Sequence, residues 1–515
     1  RWKTNPQVGS NLQKNEELKS VILQETPWLM EGLSDSLQKQ NLAKLVENAL
    51  LDISQSGVLA QLAKYQAPNG GFSWFEGGRD DRFITQYIIT GLGHLSRLGA
   101  GKTSAALDEI LNRGINYLDK RIAEDYALLL KNKADLKLDQ TGYTQIQYLY
   151  TRSFFPELPI AAAAAKSVAF YKAQAGKYWV GKNKFMQGMI ALVMSRGNQS
   201  QIATNILRSL KENSIHSDEL GTYWKDIRPG YYWYQAPVET QALLIEAFTE
   251  IGKDNVFADE LRTWLLKQKQ TTHWPSTKAT ADACYALLLR GTNWLEPSRD
   301  VDISLGTTRI SSNAQNTEAG TGYFKQTIPG NAVTADMGKI SVSLSTNSTV
   351  QTNAPAWGAV YWQYFETVEK ITASATGVTL TKKLFIEKNS DRGPVLVVVR
   401  EGDAIKVGDK VKVRIEMKSD RDLEYVQLKD MRASSFEPVI VLSGYKWAGG
   451  LGYYESTSDA STSFFFDRLP KGTHVFEYPL FAAQKGNFSN GITTVQCLYA
   501  PEFTSHSEGI RVNVE

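Results

Sequence analysis

The sequence predicts a multidomain chain: an all-α ring of helical hairpins followed by all-β sandwich domains. Three observations predict it. Apolar residues recur at i, i+3, i+4 and i+7 through most of residues 37–289. After Trp294-Leu295-Glu296-Pro297 the period falls to 2, as in Ile340-Ser341-Val342-Ser343-Leu344-Ser345 and Val411 to Met417. And an aromatic loop leading into an amphipathic helix occurs twice, as expected where hairpin loops gather at one end of a ring.

The first of those loops organises the chain. Pro68-Asn69-Gly70-Gly71 forces a turn, because glycine tolerates positive φ and proline fixes it. Phe72, Trp74 and Phe75 follow, too apolar for an exposed loop. Gly77-Gly78 turn the chain again, and Asp80 or Asp81 can cap the next helix. That helix carries an apolar stripe at Ile84, Tyr87, Ile88, Gly91, Leu92 and Leu95. The second copy closes a helix at Trp264-Leu265-Leu266, loops from Lys267 to Trp274, and opens a helix at Pro275-Ser276-Thr277.

Taken in order, residues 1–35 are polar, with one short helix near Glu16–Leu23, and 37–65 read as helical. Helices are predicted at 84–98, 105–131, 143–154, 160–178, 185–195, 202–212, 238–251, 257–269 and 280–289. Gly and Pro signals separate them, among them Gly142, Pro156, Gly197, Pro237 and Pro275. With no strands between, they read as five or six antiparallel pairs. Strands are predicted at 301–305, 340–345, 360–365, 378–385, 395–399, 411–417, 423–430, 464–466, 473–481 and 491–499, at spacings typical of sandwiches. The β region splits near 373–377. Its first part holds a long polar loop, Ser311 to Ala335, and its second reads as one antiparallel sandwich.

Composition narrows the function. The 515 residues suffice for two to four domains. A net charge of +3, with no long Lys/Arg run, leaves no nucleic-acid or membrane footprint. The longest apolar runs, Pro159–Ala165 and Val395–Val399, fall far short of the roughly 18 residues of a membrane span. The chain starts at Arg1 without Met, which suggests a processed or cloned piece of something longer. Its two cysteines, Cys284 and Cys497, both fall on apolar faces, where a free Cys packs as a small hydrophobe.

Candidate chemistry is sparse. Gly101-Lys102-Thr103 has Ser96 where a phosphate loop needs glycine, and it follows a helix rather than a strand. Gly91-Leu92-Gly93 lacks a third glycine and reads as close helix packing. Five histidines offer no convergent ligand spacing, so no metal site or cofactor is expected. His94 reads as a packed or rim residue. Glu76, Asp80, Asp81, Asp226 and Glu239 are the loop carboxylates a glycosidase pair would draw on. Asp80 and Asp81 read better as helix caps, and Glu239 as a first-turn carboxylate favoured by the helix dipole. Aromatic density is the oddity: Tyr223, Trp224, Tyr231, Tyr232, Trp233 and Tyr234 crowd one loop. With Trp74, Phe75 and Trp274 they either line a sugar-binding cleft by stacking or plug the centre of the ring. The plug is the preferred reading.

Phe72–Leu98, Val238-Glu239-Thr240-Gln241-Ala242-Leu243-Leu244 and Trp264 through Thr280 resemble successive blocks of the thioester domain of alpha-2-macroglobulins and complement factors. Phe465-Phe466-Asp467-Arg468-Leu469-Pro470-Lys471-Gly472, Phe476-Glu477-Tyr478, Gly486-Asn487-Phe488 and Tyr499-Ala500-Pro501-Glu502 resemble the last macroglobulin-like domain of the bacterial alpha-2-macroglobulins. The resemblance implies an (α/α)6 toroid over 1–298, a CUB-like β segment over 299–373 and a macroglobulin-like β-sandwich over 374–515. The family's reactive Cys lies in a Gly-Cys-Gly-Glu-Gln-like motif near the toroid's start. No Cys precedes Cys284 here, so the chain has no thioester.

By the same resemblance the chain is the C-terminal part of a bacterial, extracytoplasmic endopeptidase inhibitor that traps proteases. It would sit in the periplasm or cell envelope, with membrane attachment upstream of Arg1 as one option. Its partners would be proteases cutting an upstream bait, and its toroid would contact the last sandwich within the chain. No catalysis is expected, and the aromatic ends Trp74, Phe75, Trp233 and Trp274 would form the interaction surface. The alternative class is a carbohydrate-active α/α-toroid enzyme, or a glycan-binding protein, with C-terminal β modules.

Overall fold

The computed structural model describes residues 28, 48–99, 105–232, 234–289, 299–317, 322–346, 358–400 and 402–515. These form two compact units. The first carries the helices and a small sheet. The second carries the remaining strands, together with Trp28 and residues 268–273.

In the first unit the helices are α1 (Asn48–Tyr65), α2 (Arg82–Arg97), α3 (Ala105–Lys131), α4 (Tyr143–Arg152), α5 (Ala162–Tyr178), α6 (Lys184–Arg196), α7 (Ser200–Glu212), α8 (Pro237–Ala247), α9 (Asn255–Thr271) and α10 (Thr277–Leu288). Their starts follow local chemistry. Asp81 accepts the Ile84 N–H at 2.9 Å, Asn183 that of Met186 at 2.9 Å, and Ser276 that of Ala279 at 3.0 Å. Pro237 opens α8, where its missing N–H costs nothing.

Two kinds of helix alternate. Every residue of α8 from Val238 to Ala247 is buried, and so is most of α6. On α7 only Ala203, Ile206, Leu207 and Leu210 are buried, one stripe of an outer helix. The inner helices pack in sequence, α2 on α4, α4 on α6, α6 on α8 and α8 on α10. His94 of α2 then stacks on Tyr285 of α10, ring centroids 3.7 Å apart and 7° from parallel, so the two ends of the inner row meet.

The glycine reading holds at Gly93, where an added Cβ would lie 2.6 Å from Phe154 Cγ; at Gly91 there is open space. Two features escaped the pattern. A hairpin of β3 (Ile215–Ser217) and β4 (Gly221–Tyr223) lies between α7 and α8, with Gly221 at φ +73°. The expected 238–251 helix ends at Ala247 and gives way to one π turn, Phe248–Gly252. The short pair β1 (Phe72–Ser73) and β2 (Asp80–Asp81) closes the first aromatic loop. A three-stranded antiparallel sheet, β6 (Thr308–Ser311), β5 (Arg299–Leu305) and β7 (Ile340–Thr346), completes the unit. The strand expected at 360–365 does not form; those residues have no regular secondary structure and are exposed.

The second unit stacks two antiparallel sheets. One, in spatial order, is β13 (Phe436–Pro438), β17 (Gly472–Ala482), β11 (Lys410–Ser419), β8 (Val378–Ser390) and β9 (Gly393–Val398). The other is β14 (Gly444–Ala448), β15 (Leu451–Thr457), β16 (Ser461–Leu469), β12 (Leu423–Met431), β19 (Thr493–Cys497) and β20 (Thr504–His506). A third, small sheet pairs β10 (Ala404–Ile405) parallel to β21 (Arg511–Val514), with β18 (Gly486–Ser489) antiparallel on its other side. Alternate residues meet in the core: Val378, Leu380, Leu384 and Ile386 of β8 and Val411, Val413, Ile415 and Met417 of β11 against Val426, Leu428, Phe464 and Phe466. Lys382 occupies a core position in that alternation.

Candidate functional site

The inner helices line a cavity walled among others by Tyr87, His94, Tyr143, Tyr150, Phe185, Glu239, Glu246, Lys278, Asp282 and Tyr285. Two charged clusters occupy it.

Glu246 of α8 is the centre of the deeper one. It is 1% exposed, and every donor around it is aimed at its carboxylate. Tyr150 donates to Oε2, Tyr285 to Oε1 at 3.0 Å, and Arg196 to Oε1 at 2.6 Å. Arg196 also holds Glu250 at 2.7 Å and Ser153 Oγ at 3.0 Å, and its guanidinium lies over the Phe154 ring at 4.2 Å. Burial alone would raise the Glu246 carboxyl, but the charge of Arg196 overcomes it and holds the group below its ordinary value. His94 Nε2 lies 3.0 Å from the Tyr150 hydroxyl. Burial pushes His94 down to about 4, against the opposing pull of Glu246. It is therefore a neutral, stacked residue, as expected of a packed histidine.

The second cluster sits where the inner helices begin. Lys278 Nζ lies 3.5 Å from Glu239 Oε1 and 3.2 Å from Asp282 Oδ2, with the Tyr87 and Phe185 rings each 5.7 Å away. Burial pushes Asp282 up to about 6, with Lys278 pulling the other way and Glu239 adding to the rise. Glu239 is thus a cavity residue as well as a first-turn carboxylate. The pair resembles a general acid and base in position only: one ammonium bridges both carboxylates.

Among the described residues the loop aromatics do not line this cavity. Tyr231 is 94% exposed and Tyr232 is also exposed, its ring stacked on Tyr234 at 5.3 Å. Trp224 is buried elsewhere, donating to Leu210 O at 2.8 Å. Helix-borne Tyr87, Tyr143, Tyr150, Phe185 and Tyr285 line the centre instead. Periodicity spreads such rings through the sequence one turn at a time, so they never form a visible cluster.

Of the expected interaction residues, Trp74 is 54% and Phe75 68% exposed, against the expectation that this loop is too apolar for solvent. Only Phe72 goes inside, its N–H donating to Thr85 Oγ1 at 2.8 Å. Trp74 stacks on Phe83 at 6.2 Å. Trp274 is half-buried, its Nε1 donating to Leu265 O at 3.3 Å. Trp233 lies outside the described residues. Asp80 is not a cap: it accepts from the Tyr117 hydroxyl at 2.7 Å and from Arg121 at 3.1 Å, and these hold its carboxyl below the ordinary value. The sequence reading passed over Glu246, although a carboxylate inside the apolar run Ala242-Leu243-Leu244-Ile245 was a signal of a buried charge.

Among the described residues no three His, Cys, Asp or Glu side chains converge as metal ligands, and no helix is long and apolar enough to cross a membrane.

Residues 377–502 match the family described as bacterial alpha-2-macroglobulin MG10 domain. Over 75 residues, 15% of the chain, the sequence is 40% identical to an alpha-2-macroglobulin of Thermotoga maritima, covering 4% of that protein. Among solved structures it aligns with Escherichia coli alpha-2-macroglobulin activated by porcine elastase. The identity is 13% and the TM-score 0.42, over 89% of this chain and 38% of that one. It also aligns with Salmonella alpha-2-macroglobulin reacted with methylamine, at 14% identity and TM-score 0.33, over 88% of this chain and 27% of that one. The chain therefore spans well under half the length of these relatives.

Proposed function

Because this chain belongs with the bacterial alpha-2-macroglobulins, we propose that it serves a protease-trapping endopeptidase inhibitor as its helical and docking portion and contributes no catalysis of its own. The observation that carries this reading is the MG10 match over residues 377–502. Cleavage of a bait elsewhere in the parent protein releases strain, and packed domains rearrange around the protease.

In this proposal residues up to 298 are an α/α toroid of the thioester-domain kind, without a thioester. Residues 299–373 are a CUB-like segment and 374–515 the last macroglobulin-like sandwich. The meeting of α2 and α10 at His94 and Tyr285 supports the toroid. Exposed Val342, Leu344, Tyr361, Trp362 and Phe365 support a segment that completes its sandwich against further chain. Trp74, Phe75, Trp233 and Trp274 offer a contact surface, and the site of action is extracytoplasmic. Three charged side chains fill the cavity mouth and the donors around Glu246 are all engaged, which favours scaffold over glycosidase.

The test compares a protease acting on a large protein and on a small peptide. The bait-bearing parent should suppress the first far more than the second, and the 515 residues alone should suppress neither. Equal block of both by these residues alone would overturn the trap reading.

A further inference from the structure

Lys382 interrupts the apolar row that β8 turns toward the core of the sandwich. Val378, Leu380, Leu384 and Ile386 share that row, and all are buried. The lysine side chain is 1% exposed and reaches Asp430 of β12, which is 0% exposed. Asp430 follows Val426 and Leu428 in the inward row of the other sheet. Lys382 Nζ lies 2.7 Å from Asp430 Oδ1 and donates to Met431 O at 2.7 Å. Tyr478 of β17 donates to the second carboxyl oxygen, Oδ2, and Thr493 of β19 donates to Oδ1. Burial, then the neighbouring charge of Asp430, pushes Tyr478 well above its ordinary value, so it stays a donor. A nitrogen at that distance from a carboxyl oxygen is about 3–3.5 Å from the carboxyl carbon, the separation from which attack begins. The deeply buried pairs Arg152–Asp119, Arg196–Glu246 and Arg262–Asp259 use a guanidinium instead, which stays protonated and offers no lone pair.

We propose that Lys382 and Asp430 close into an intramolecular isopeptide bond, a covalent tie between the two sheets. One proton passes from the ammonium to Oδ1, which leaves an amine and a carboxylic acid and no charge in a dry core. The Nζ lone pair attacks Cγ, and the oxyanion that forms on Oδ2 meets the Tyr478 hydroxyl. A second nitrogen proton moves to Oδ1, the Cγ–Oδ1 bond breaks, and one water leaves. Thr493, already bonded to Oδ1, steadies that departing oxygen. Nothing is oxidised or reduced, and no co-reactant is needed. The product keeps its polar atoms bonded, the amide N–H to Met431 O and the amide oxygen to Tyr478. Two features drive the step forward. The fixed geometry gives an effective concentration on the order of 10⁵ M or more. The closed core also excludes the water that would reverse the step.

The test is mass spectrometry of the 515-residue chain, denatured after folding, and it decides without any variant having to fold. The wild-type chain should be lighter than its sequence by one water. Proteolysis should release a branched peptide that joins the segments around Lys382 and Asp430. Lys382→Arg and Asp430→Ala should show their full sequence masses, and Asp430→Asn should lose one ammonia in place of the water. In cell-free synthesis sampled over time, Tyr478→Phe should close on the order of a hundredfold more slowly than wild type. A wild-type chain that keeps its full sequence mass after prolonged folding overturns the proposal, and so does a loss of water mapped to any other residues. Closure of Tyr478→Phe at the wild-type rate overturns the role given to that hydroxyl.

Discussion

Lys382 of β8 and Asp430 of β12 form an ion pair 2.7 Å long that joins the two sheets of the sandwich, with neither side chain more than 1% exposed. The charges are fully engaged. Lys382 also donates to Met431 O at 2.7 Å, and Asp430 accepts from Tyr478 and Thr493. Such a pair gains little over a well-packed apolar pair, but losing one partner strands a charge. Lys382→Met should cost about 3–5 kcal/mol in the urea unfolding of the sandwich. Adding Asp430→Leu should recover part of that loss, although the hydroxyls of Tyr478 and Thr493 then lack their acceptor. A single mutant as stable as wild type would show that the pair is not buried.

The central cavity should give opposing pH effects. The His94 pKa falls from 6.5 to about 4 in the fold, so the unfolded chain takes up the proton first. Stability is lost as pH drops from 6.5 to 4, up to about 3 kcal/mol at roughly 1.4 kcal/mol per unit. The Asp282 pKa rises from 3.8 to about 6, so the folded chain takes up that proton first and stability is gained as pH falls from 6 to 3.8. The charges facing His94 are Glu246, Arg196, Lys278 and Arg97. Wild type should therefore vary little across this window. Thermal melts of His94→Gln should rise as pH falls from 6.5 to 4, and those of Asp282→Asn should fall more steeply than wild type. Parallel profiles for all three would refute the assignment.

The two thiols should differ. Cys497 is buried, burial pushes it up to about 12, and its Sγ lies 3.2 Å from Glu424 O. Cys284, expected on an apolar face, is exposed on α10, with partial burial raising its thiol somewhat. A disulfide-exchange reagent at pH 8 should label one thiol slowly and the second only after unfolding. Immediate reaction of both would contradict the structure.

Gly91 and Gly93, two residues apart on α2, should respond with opposite signs. Gly93→Ala forces Phe154 away from a contact at 2.6 Å and should cost about 1–3 kcal/mol. Gly91→Ala meets nothing and should gain about 0.5–1 kcal/mol of helix stability. Melting temperatures of the two variants check this directly.

Long elements with one apolar face were legible. Residues 105–131 read as a helix from periodicity alone and form α3 with those limits, and the alternation in β11 is visible in Val411 to Met417. Short elements were not. The β3–β4 hairpin has three residues per strand, too few for a period to emerge. Residues 360–365 carry strand chemistry, yet they pair with no strand among the described residues; propensity cannot supply a partner. At the cavity, sequence placed Glu239 and His94 on helices but not opposite Asp282 and Tyr285, because helix packing brings together residues about 40 to 190 positions apart, well beyond any local pattern.

The position of β8 decides how the sandwich answers tension. It is where the chain enters the five-stranded sheet, and it lies between β11 and β9 rather than at an edge. Its ladder with β11 runs unbroken from Val378 opposite Ser419 to Ile386 opposite Val411. The bonds of such a ladder lie across the strand axis. A pull along β8 therefore shears all nine pairs at once instead of unzipping them singly. The buried tie from Lys382 to Asp430 spreads the same load into the second sheet. Force arriving along the chain would be handed on by a stiff body, as a lever hands it on, before any strand comes loose.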